Sequence, residues 1–499
     1  MHKSSLHASR LNFSILIYGS LIFLAVVLPV ILWQLNIPII ARTYDGKVPG
    51  MLDSQPFELF GLFISLVLIF AAWVNVKKLE KKTLRNVIPI ILPLLVSLQI
   101  LFFLLEDSHL QGSDYSLCYE KAAQAIVNGT NPYSVKCFLY PPLQAQTLAF
   151  LYWLVKSFLL FSPGNTEKAW DIVFYLYQCG QFIQIILAYY LTYEIAKRIG
   201  LRVLPATLIV SALFLFNNPL VRTIKFNQIN VWILNCFLLA IIWLPRHPFF
   251  SGLAVALGAH IKLYTLSLLL PWTLTKRWRA IVGVIVGFFT ILILQSGFGK
   301  NFRLWQQFLV YFTERVEKPS NYRNSGIWSF FYNLAKIPER FIGESIFNLV
   351  PIIVLLINLL FIAWFILRII NREKAYFQLV KISNSSRAEN QIYRDYGHAI
   401  DAVALGLLIS PSVWEHHYVI AIPIALWAIV TRQWDKPWLV GIGTFLIFCL
   451  PTFDVFPLSH HRMVGLLILV YATSPKFVQQ YFIHAETKKH SSISNSIEA

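Results

Sequence analysis

Residues 347–370 read FNLVPIIVLLINLLFIAWFILRII, an apolar run long enough to cross the hydrocarbon core of a bilayer as a helix. Similar runs of about 15 to 25 residues recur along almost the whole chain. A helix satisfies all of its backbone polar groups within its own segment, which is what a lipid environment demands. The runs therefore predict an all-α, polytopic membrane protein.

The composition agrees with this prediction. Of 499 residues, 57% are hydrophobic and only 13% are charged, whereas soluble globular chains carry about 25% charged residues. The net charge of +18 would suit a nucleic-acid-binding protein. Most of the Lys and Arg, however, fall in short stretches between the apolar runs, as they do on the cytoplasmic side of membrane proteins. A nucleic-acid-binding domain, a disordered chain and a disulfide-rich secreted module are excluded.

Loop charge orients the chain and gives about fourteen crossings. The first two runs, residues 12–35 and 57–76, follow a cytoplasmic N-terminus, and the basic stretch 77–85 returns the chain to the cytoplasm. The third run, 87–105, leads to the acidic segment 106–140, which is expected outside.

Two later apolar stretches conflict with the charge pattern if each crosses once. Residues 143–161 are expected to form a juxtamembrane or re-entrant helix, because a full crossing would place the basic residues 197–202 outside. Residues 252–275 are expected to break at Ile261 and Lys262 into two short helices, which keeps the basic residues 276–279 inside.

No part of the chain is expected to form a separate soluble domain. The predicted organisation is N-terminal transmembrane helices at 1–105, an outer loop with juxtamembrane or re-entrant helices at 106–168, core transmembrane helices at 169–296, an outer loop at 297–343, C-terminal transmembrane helices at 344–475 and a cytoplasmic tail at 476–499.

With this topology, unusual polar residues at the ends of the apolar runs gather on the outer face. Ionisable groups near lipid are costly, so these residues are functional candidates. A carboxylate among cations suits group transfer from a phosphate donor, because it provides a base for the incoming hydroxyl and positive charge for the departing phosphate. The candidates are Asp107, Asp114, Arg222, Lys225, Gln228, His260, Lys262, Asn324, His416, His417, His460, His461 and Arg462.

Each candidate also has a simpler interpretation. Asp114 is either a catalytic base or a helix N-cap, and Asp107 is the competing base. Three roles are open for His416 and His417: contact with the phosphate donor, anchoring of the chain at the membrane interface, and metal binding. Adjacent helical positions point in different directions, which disfavours the metal. Two roles are open for Lys262, Arg222 and Lys225. Each can bind a donor phosphate, or it can be a cation that faces lipid or the lipid headgroups.

Three separated blocks of sequence carry a family resemblance. They are Gly112-Ser113-Asp114-Tyr115 with Asn131-Pro132-Tyr133 and Tyr140-Pro141-Pro142; Asn227-Gln228-Ile229-Asn230 with Lys262-Leu263-Tyr264; and Trp414-Glu415-His416-His417-Tyr418. In this order they resemble glycosyltransferase family 87, the polyprenyl-phosphate-mannose-dependent enzymes of the GT-C superfamily. The chain differs from the family's usual pattern at Asn227, where Gly is usual, and at Thr265, where Pro is usual.

The resemblance implies a GT-C fold and a hexosyltransferase, most simply a mannosyltransferase, in a bacterial plasma membrane with its active site on the outer face. Asp114 would take the proton from an acceptor hydroxyl in an inverting reaction. The implied partners are a polyprenyl-phosphate sugar donor, a glycolipid or glycan acceptor and membrane lipids, with no nucleic acid, cofactor or metal. The residues implied to bind the donor phosphate or sugar are Lys262, His416, His417, Arg222, Lys225 and Gln228.

Two alternative functions stay open. A flippase for lipid-linked saccharides is expected to carry ionisable residues near the bilayer midplane and repeated halves. An oligosaccharide ligase would use Arg and His of a large late loop, and the basic segment 297–342 is compatible with one. Separately, Cys118 and Cys137 share a polar loop and can pair if that loop faces an oxidising compartment.

Overall fold

A computed structural model describes residues 82–106, 113–159, 166–314, 323–342, 346–382, 387–431, 437–453 and 456–474. Within these ranges the chain is helical and forms no β-strand, as predicted. The first two apolar runs, Asp107 and the tail at 476–499 lie outside the described residues.

The α-helices are named in chain order. They are α1 Lys82–Glu106, α2 Glu120–Val127, α3 Leu143–Leu159, α4 Thr166–Arg198, α5 Val203–Leu215, α6 Asn218–Lys225, α7 Asn230–Trp243, α8 Pro248–Ile261, α9 Leu269–Leu274, α10 Trp278–Gln295, α11 Arg303–Glu314, α12 Ile327–Ile342, α13 Val350–Ile382, α14 Arg387–Ile409, α15 Ile422–Thr431, α16 Pro437–Phe448 and α17 His461–Ala472. Shorter turns of other helix types are the π-helix Tyr115–Tyr119 and the 3₁₀ helices Pro132–Ser134, Leu263–Leu268, Phe347–Leu349, Glu415–Ala421 and Leu458–His460.

Four described helical segments are long and apolar enough to cross a membrane: Val87–Leu105, Lys168–Arg198, Trp278–Gln295 and Phe347–Gln378. The pair α5 and α6, bent by 52°, makes a fifth if it counts as one span. Several other helices are apolar but shorter than a full crossing. The predicted total of about fourteen crossings is therefore not confirmed by the part of the chain that the structure covers.

The predicted break in residues 252–275 is confirmed. Helix α8 ends at Ile261, and Lys262 has extended backbone angles, φ −161° and ψ 135°. The 3₁₀ helix Leu263–Leu268 then folds back along α8, where the Thr265 hydroxyl donates to the Val255 carbonyl over 2.8 Å. Lys262 therefore lies at the tip of a helical hairpin, at the same end of the bundle as the start of α7.

Helix α3, over the stretch for which a juxtamembrane or re-entrant helix is predicted, contacts the end of α10 and the start of α4. The Gln146 side chain donates to the carbonyl of Gln295, at the end of α10, over 3.0 Å. Two turns later, the Tyr152 ring stacks on Trp170 near the start of α4, with centroids 4.4 Å apart. Helix α3 thus lies across helix ends and is not among the described helices long and apolar enough to span.

Helices α8 and α10 run side by side at very close distance because small residues line their contact. A Cβ added to Gly252 would overlap the backbone of α10, at 2.6 Å from the Val284 nitrogen and 2.8 Å from the Gly283 carbonyl carbon. A Cβ on Gly287 would lie 2.8 Å from the Ala256 Cβ. Small residues commonly provide such backbone approach between helices in lipid.

Buried ion pairs hold the other end of the bundle. Arg368 of α13 donates to Asp401 of α14 over 2.7 Å, and Arg372 lies 2.8 Å from the second oxygen of the same carboxylate. Arg368 also donates to the Val470 carbonyl of α17 over 2.8 Å. Charges this deep are tolerated when they are paired and hydrogen-bonded, and here the pairing joins three helices.

The α8–α10 contact gives a stability prediction. Gly252→Ala should lower the free energy of unfolding by about 1–3 kcal/mol, because the added methyl group meets backbone that cannot move aside. Thermal unfolding of the detergent-solubilised protein measures this. The control is Gly180→Ala in α4, where the nearest atom to an added Cβ, on Trp232, lies 3.6 Å away. Equal unfolding midpoints for the two variants would contradict the packing account.

Candidate functional site

The helix break brings Lys262 against residues from two other segments. Its Nζ lies 2.6 Å from Nε2 of His417 and donates to Oδ1 of Asn230 over 3.2 Å. The same ammonium lies 5.3 Å from the ring centroids of Tyr140 and Tyr264. An ammonium over aromatic faces is attracted by the ring quadrupole, so the break places a cation in a defined position.

The two adjacent histidines have different surroundings. His417 Nδ1 lies 3.2 Å from the backbone nitrogen of Trp414 and 3.0 Å from the Tyr264 hydroxyl. The His416 ring is parallel to Trp414 and nearly perpendicular to His417. The rings point in different directions, as predicted, and it is His417 that contacts Lys262. Among the described residues, no group of three or more His, Cys, Asp or Glu is arranged to hold a metal ion.

Asp114 reaches the site from the segment between α1 and α2. Its backbone N–H donates to the Phe226 carbonyl over 3.1 Å, which ties the loop to the turn between α6 and α7. The residue precedes the π-helix Tyr115–Tyr119, but its side chain makes no capping hydrogen bond, so the alternative of a helix cap is wrong. Burial raises the pKa of the Asp114 carboxyl to about 6, although nearby Lys262 and Arg323 favour the carboxylate.

Arg222 lies in a buried ion pair that the sequence did not reveal. Its Nε is 3.5 Å from Oε1 of Glu415, and both side chains are almost fully buried. The Thr452 hydroxyl donates to the other Glu415 oxygen, and Arg462 donates to Thr452 over 3.2 Å. Arg222, Lys262, Arg323 and Arg462 are all near enough to His416 to act on it electrostatically.

Arg323 was also not predicted from the sequence, because its position depends on a contact between distant segments. Asn324 pairs with Trp414 in an isolated antiparallel bridge, and the Glu415 N–H donates to the Arg323 carbonyl over 3.0 Å. This pairing places the Arg323 guanidinium 5.6 Å from the Phe226 ring centroid. The only sequence signal was its position beside Asn324, whose side chain holds backbone N–H groups rather than a ligand.

Gln228 is held by two tyrosines. The hydroxyls of Tyr119 and Tyr140 lie 2.9 and 3.1 Å from its Oε1, and all three residues are buried. The preceding residue, Asn227, has φ +51°, in the left-handed region. Gly and Asn tolerate that conformation better than other residues. The substitution of Asn227 for the family's usual Gly therefore preserves the turn.

Other predicted candidates have different surroundings. His260 is buried between α8 and α10, where its Nε2 lies 3.0 Å from the Phe288 carbonyl oxygen. His460 and His461 pack against Phe456 and Phe453. Lys225 is half-buried at the end of α6. Asp107, the competing base, lies outside the described residues.

A disulfide closes the segment that follows Asp114. Cys118 and Cys137 form a disulfide with their Cα atoms 5.4 Å apart, which confirms that the two residues can pair. The bond joins the π-helix that follows Asp114 to the segment that leads to Tyr140.

The comparisons with known proteins agree with this arrangement. Residues 138–384, nearly half of the chain, match the family model of glycosyltransferase family 87. The matched segment includes Arg222, Lys225, Gln228 and Lys262, whereas Asp114, His416 and His417 lie outside it. Among curated proteins, none matches this chain. Together with the apolar helices, this match supports the resemblance to glycosyltransferase family 87 and indicates a membrane glycosyltransferase.

Proposed function

We propose that this protein transfers a hexose, mannose in the first instance, from a polyprenyl-phosphate donor to an acceptor hydroxyl, with Asp114 as the general base. The match to the model of glycosyltransferase family 87 supports glycosyl transfer. The observation that carries the proposal is the position of the Asp114 carboxyl, which burial holds at a pKa of about 6 while the Lys262 cation acts on it from nearby. A base and a phosphate-binding cation thus share one site.

The reaction follows from these two groups. Asp114 accepts the proton of the acceptor hydroxyl, and the hydroxyl oxygen forms a bond to the anomeric carbon of the sugar. The bond from that carbon to the phosphate oxygen breaks on the opposite face, which inverts the configuration. Polyprenyl phosphate leaves with the bonding electron pair, and the Lys262 ammonium stabilises its growing negative charge.

The wider charge balance suits a departing phosphate. The cations Lys262, Arg222, Arg323 and Arg462 outnumber the carboxyl groups Asp114 and Glu415 in this part of the molecule. Arg222 is paired with Glu415 and almost fully buried, so we assign it to holding the segment that bears His416. His417 orients Lys262 through the 2.6 Å contact.

The disulfide supports an outer-face site. Cys118 and Cys137 pair within the loop that carries Asp114, and disulfides persist in oxidising compartments rather than in the cytosol. The cluster therefore faces the outside of the plasma membrane in this proposal, where the acceptor is a glycolipid or a glycan.

One observation favours an oligosaccharide ligase as a second candidate. Arg323, from the long basic segment 297–342, reaches the Phe226 ring beside Asp114. A ligase would take a lipid-linked oligosaccharide rather than a single sugar. Offering purified protein both donors separates the two candidates, because our proposal predicts transfer from the monosaccharide donor alone.

Removal of the base tests the chemistry. Asp114→Asn should lower kcat about 10²- to 10⁴-fold with little change in KM for the donor, because the amide cannot accept the proton. The measurement is transfer of labelled mannose from polyprenyl-phosphate mannose to host membrane lipids by purified protein.

Two variants complete that experiment. Glu120→Gln is the matched control, since Glu120 lies on the same loop, is half-buried and bonds to Gln124. It should retain near wild-type kcat. Asp107→Asn tests the competing base. Full activity in Asp114→Asn, or loss of activity in Asp107→Asn alone, would rule out Asp114 as the base.

The raised pKa predicts a pH profile. The base must be ionised, so kcat/KM should be level above pH 6 and fall about tenfold per pH unit as the pH drops below about 6. Steady-state rates between pH 4.5 and 8 (about 1.5–2 units either side of the expected inflection) measure this. Rates that stay level down to about pH 4.5, as a base with the ordinary Asp value of 3.8 would give, would contradict the assigned burial of the carboxyl.

A further inference from the structure

Two buried amides flank Ile229 at the start of α7. Gln228 is 1% exposed and Asn230 is fully buried. In each, the side-chain oxygen has partners while the nitrogen has none: within the described residues, Gln228 Nε2 and Asn230 Nδ2 are buried without a hydrogen-bond partner. Buried polar groups in native proteins are nearly always paired, so two such donors in one turn call for a missing acceptor.

The neighbours of each amide orient it. The Asn230 oxygen accepts from the Lys262 ammonium, which can only donate, so this amide cannot turn over without losing that bond. The Gln228 oxygen accepts from the hydroxyls of Tyr119 and Tyr140. In this arrangement each amide presents its NH₂ group away from these partners.

A series of contacts connects the two amides with both the cation and the base. Asn230 contacts Lys262 directly, and Lys262 sits over the ring of Tyr140, whose hydroxyl reaches Gln228. Gln228 is bonded in turn to Tyr119, which is near enough to Asp114 to interact with it electrostatically. In a transfer from phosphate to acceptor, the sugar ring must occupy the space between these two groups.

We propose that Gln228 and Asn230 recognise the transferred sugar, each donating an amide hydrogen bond to a ring hydroxyl oxygen. The inference rests on the proposed glycosyl transfer and adds to it the residues that determine which sugar is accepted. The amides are neutral, whereas the nearby phosphate charge is matched by cations. Neutral hydroxyls are therefore their fitting partners.

The test combines variants with donor analogues that each lack one hydroxyl of the mannose ring. Gln228→Glu keeps an acceptor for the two tyrosines, and Asn230→Asp keeps one for Lys262, but each removes the NH₂ donor. Wild type should lose about tenfold or more in kcat/KM with the analogue that lacks the recognised hydroxyl. In the variant that lacks the corresponding NH₂ donor, the same analogue should lower kcat/KM less than about threefold relative to the full donor. The reason is that the hydrogen bond to this hydroxyl is already absent in the variant.

Controls make the outcomes distinct. Asn235→Asp, on the same helix, alters an amide whose nitrogen already bonds to Gln184. Its penalties with the analogues should equal those of wild type. Gln228→Met replaces Gln228→Glu if that variant fails to elute as a monodisperse species in size-exclusion chromatography.

Three results would overturn the inference in different ways. In the first, wild type transfers mannose, but every analogue lowers kcat/KM by the same factor in wild type, Gln228→Glu and Asn230→Asp. The amides then do not recognise the sugar, and the proposed function stands. If the two variants instead weaken inhibition by free polyprenyl phosphate, with no selectivity among analogues, the amides bind phosphate. If wild type transfers no sugar from the full donor, the proposed function fails and the inference falls with it.

Discussion

The contact between Lys262 and His417 is the interaction on which the arrangement of the site depends. An ammonium near lipid is costly unless it has partners, and the helix break places Lys262 against His417, Asn230 and two aromatic rings. The contact joins the hairpin tip, the start of α7 and the 3₁₀ helix Glu415–Ala421. Three segments that are far apart in the chain thereby share one cation.

The surrounding structure holds this arrangement in place. Close packing of α8 on α10 through glycine fixes one arm of the hairpin that bears Lys262. The buried pair Arg222 and Glu415 fixes the segment that bears the histidines. Asp114 approaches from a disulfide-closed loop and is tied to the Phe226 carbonyl. Preorganised charge of this kind lowers the barrier to transfer because little has to rearrange during the reaction.

The sequence was informative where polarity alone decides the structure. Apolar runs predicted the helical membrane protein, and the positions of Lys276 and Arg277 predicted the break at Lys262. Contacts between distant segments were harder to predict. In the sequence, Glu415 is only part of a motif, because its pairing with Arg222 depends on how α6 packs against the 3₁₀ helix Glu415–Ala421. Arg323 depends likewise on the bridge between Asn324 and Trp414. The number of crossings was not settled, because many apolar helices here are shorter than a span.

The most direct test of the account is a cryo-electron microscopy structure with a non-transferable polyprenyl-phosphate mannose analogue. The account predicts the donor phosphate within hydrogen-bonding distance of the Lys262 ammonium, with the Asp114 carboxyl facing the anomeric carbon on the side opposite the phosphate. A phosphate bound away from Lys262, or a sugar whose anomeric carbon faces away from Asp114, would contradict it.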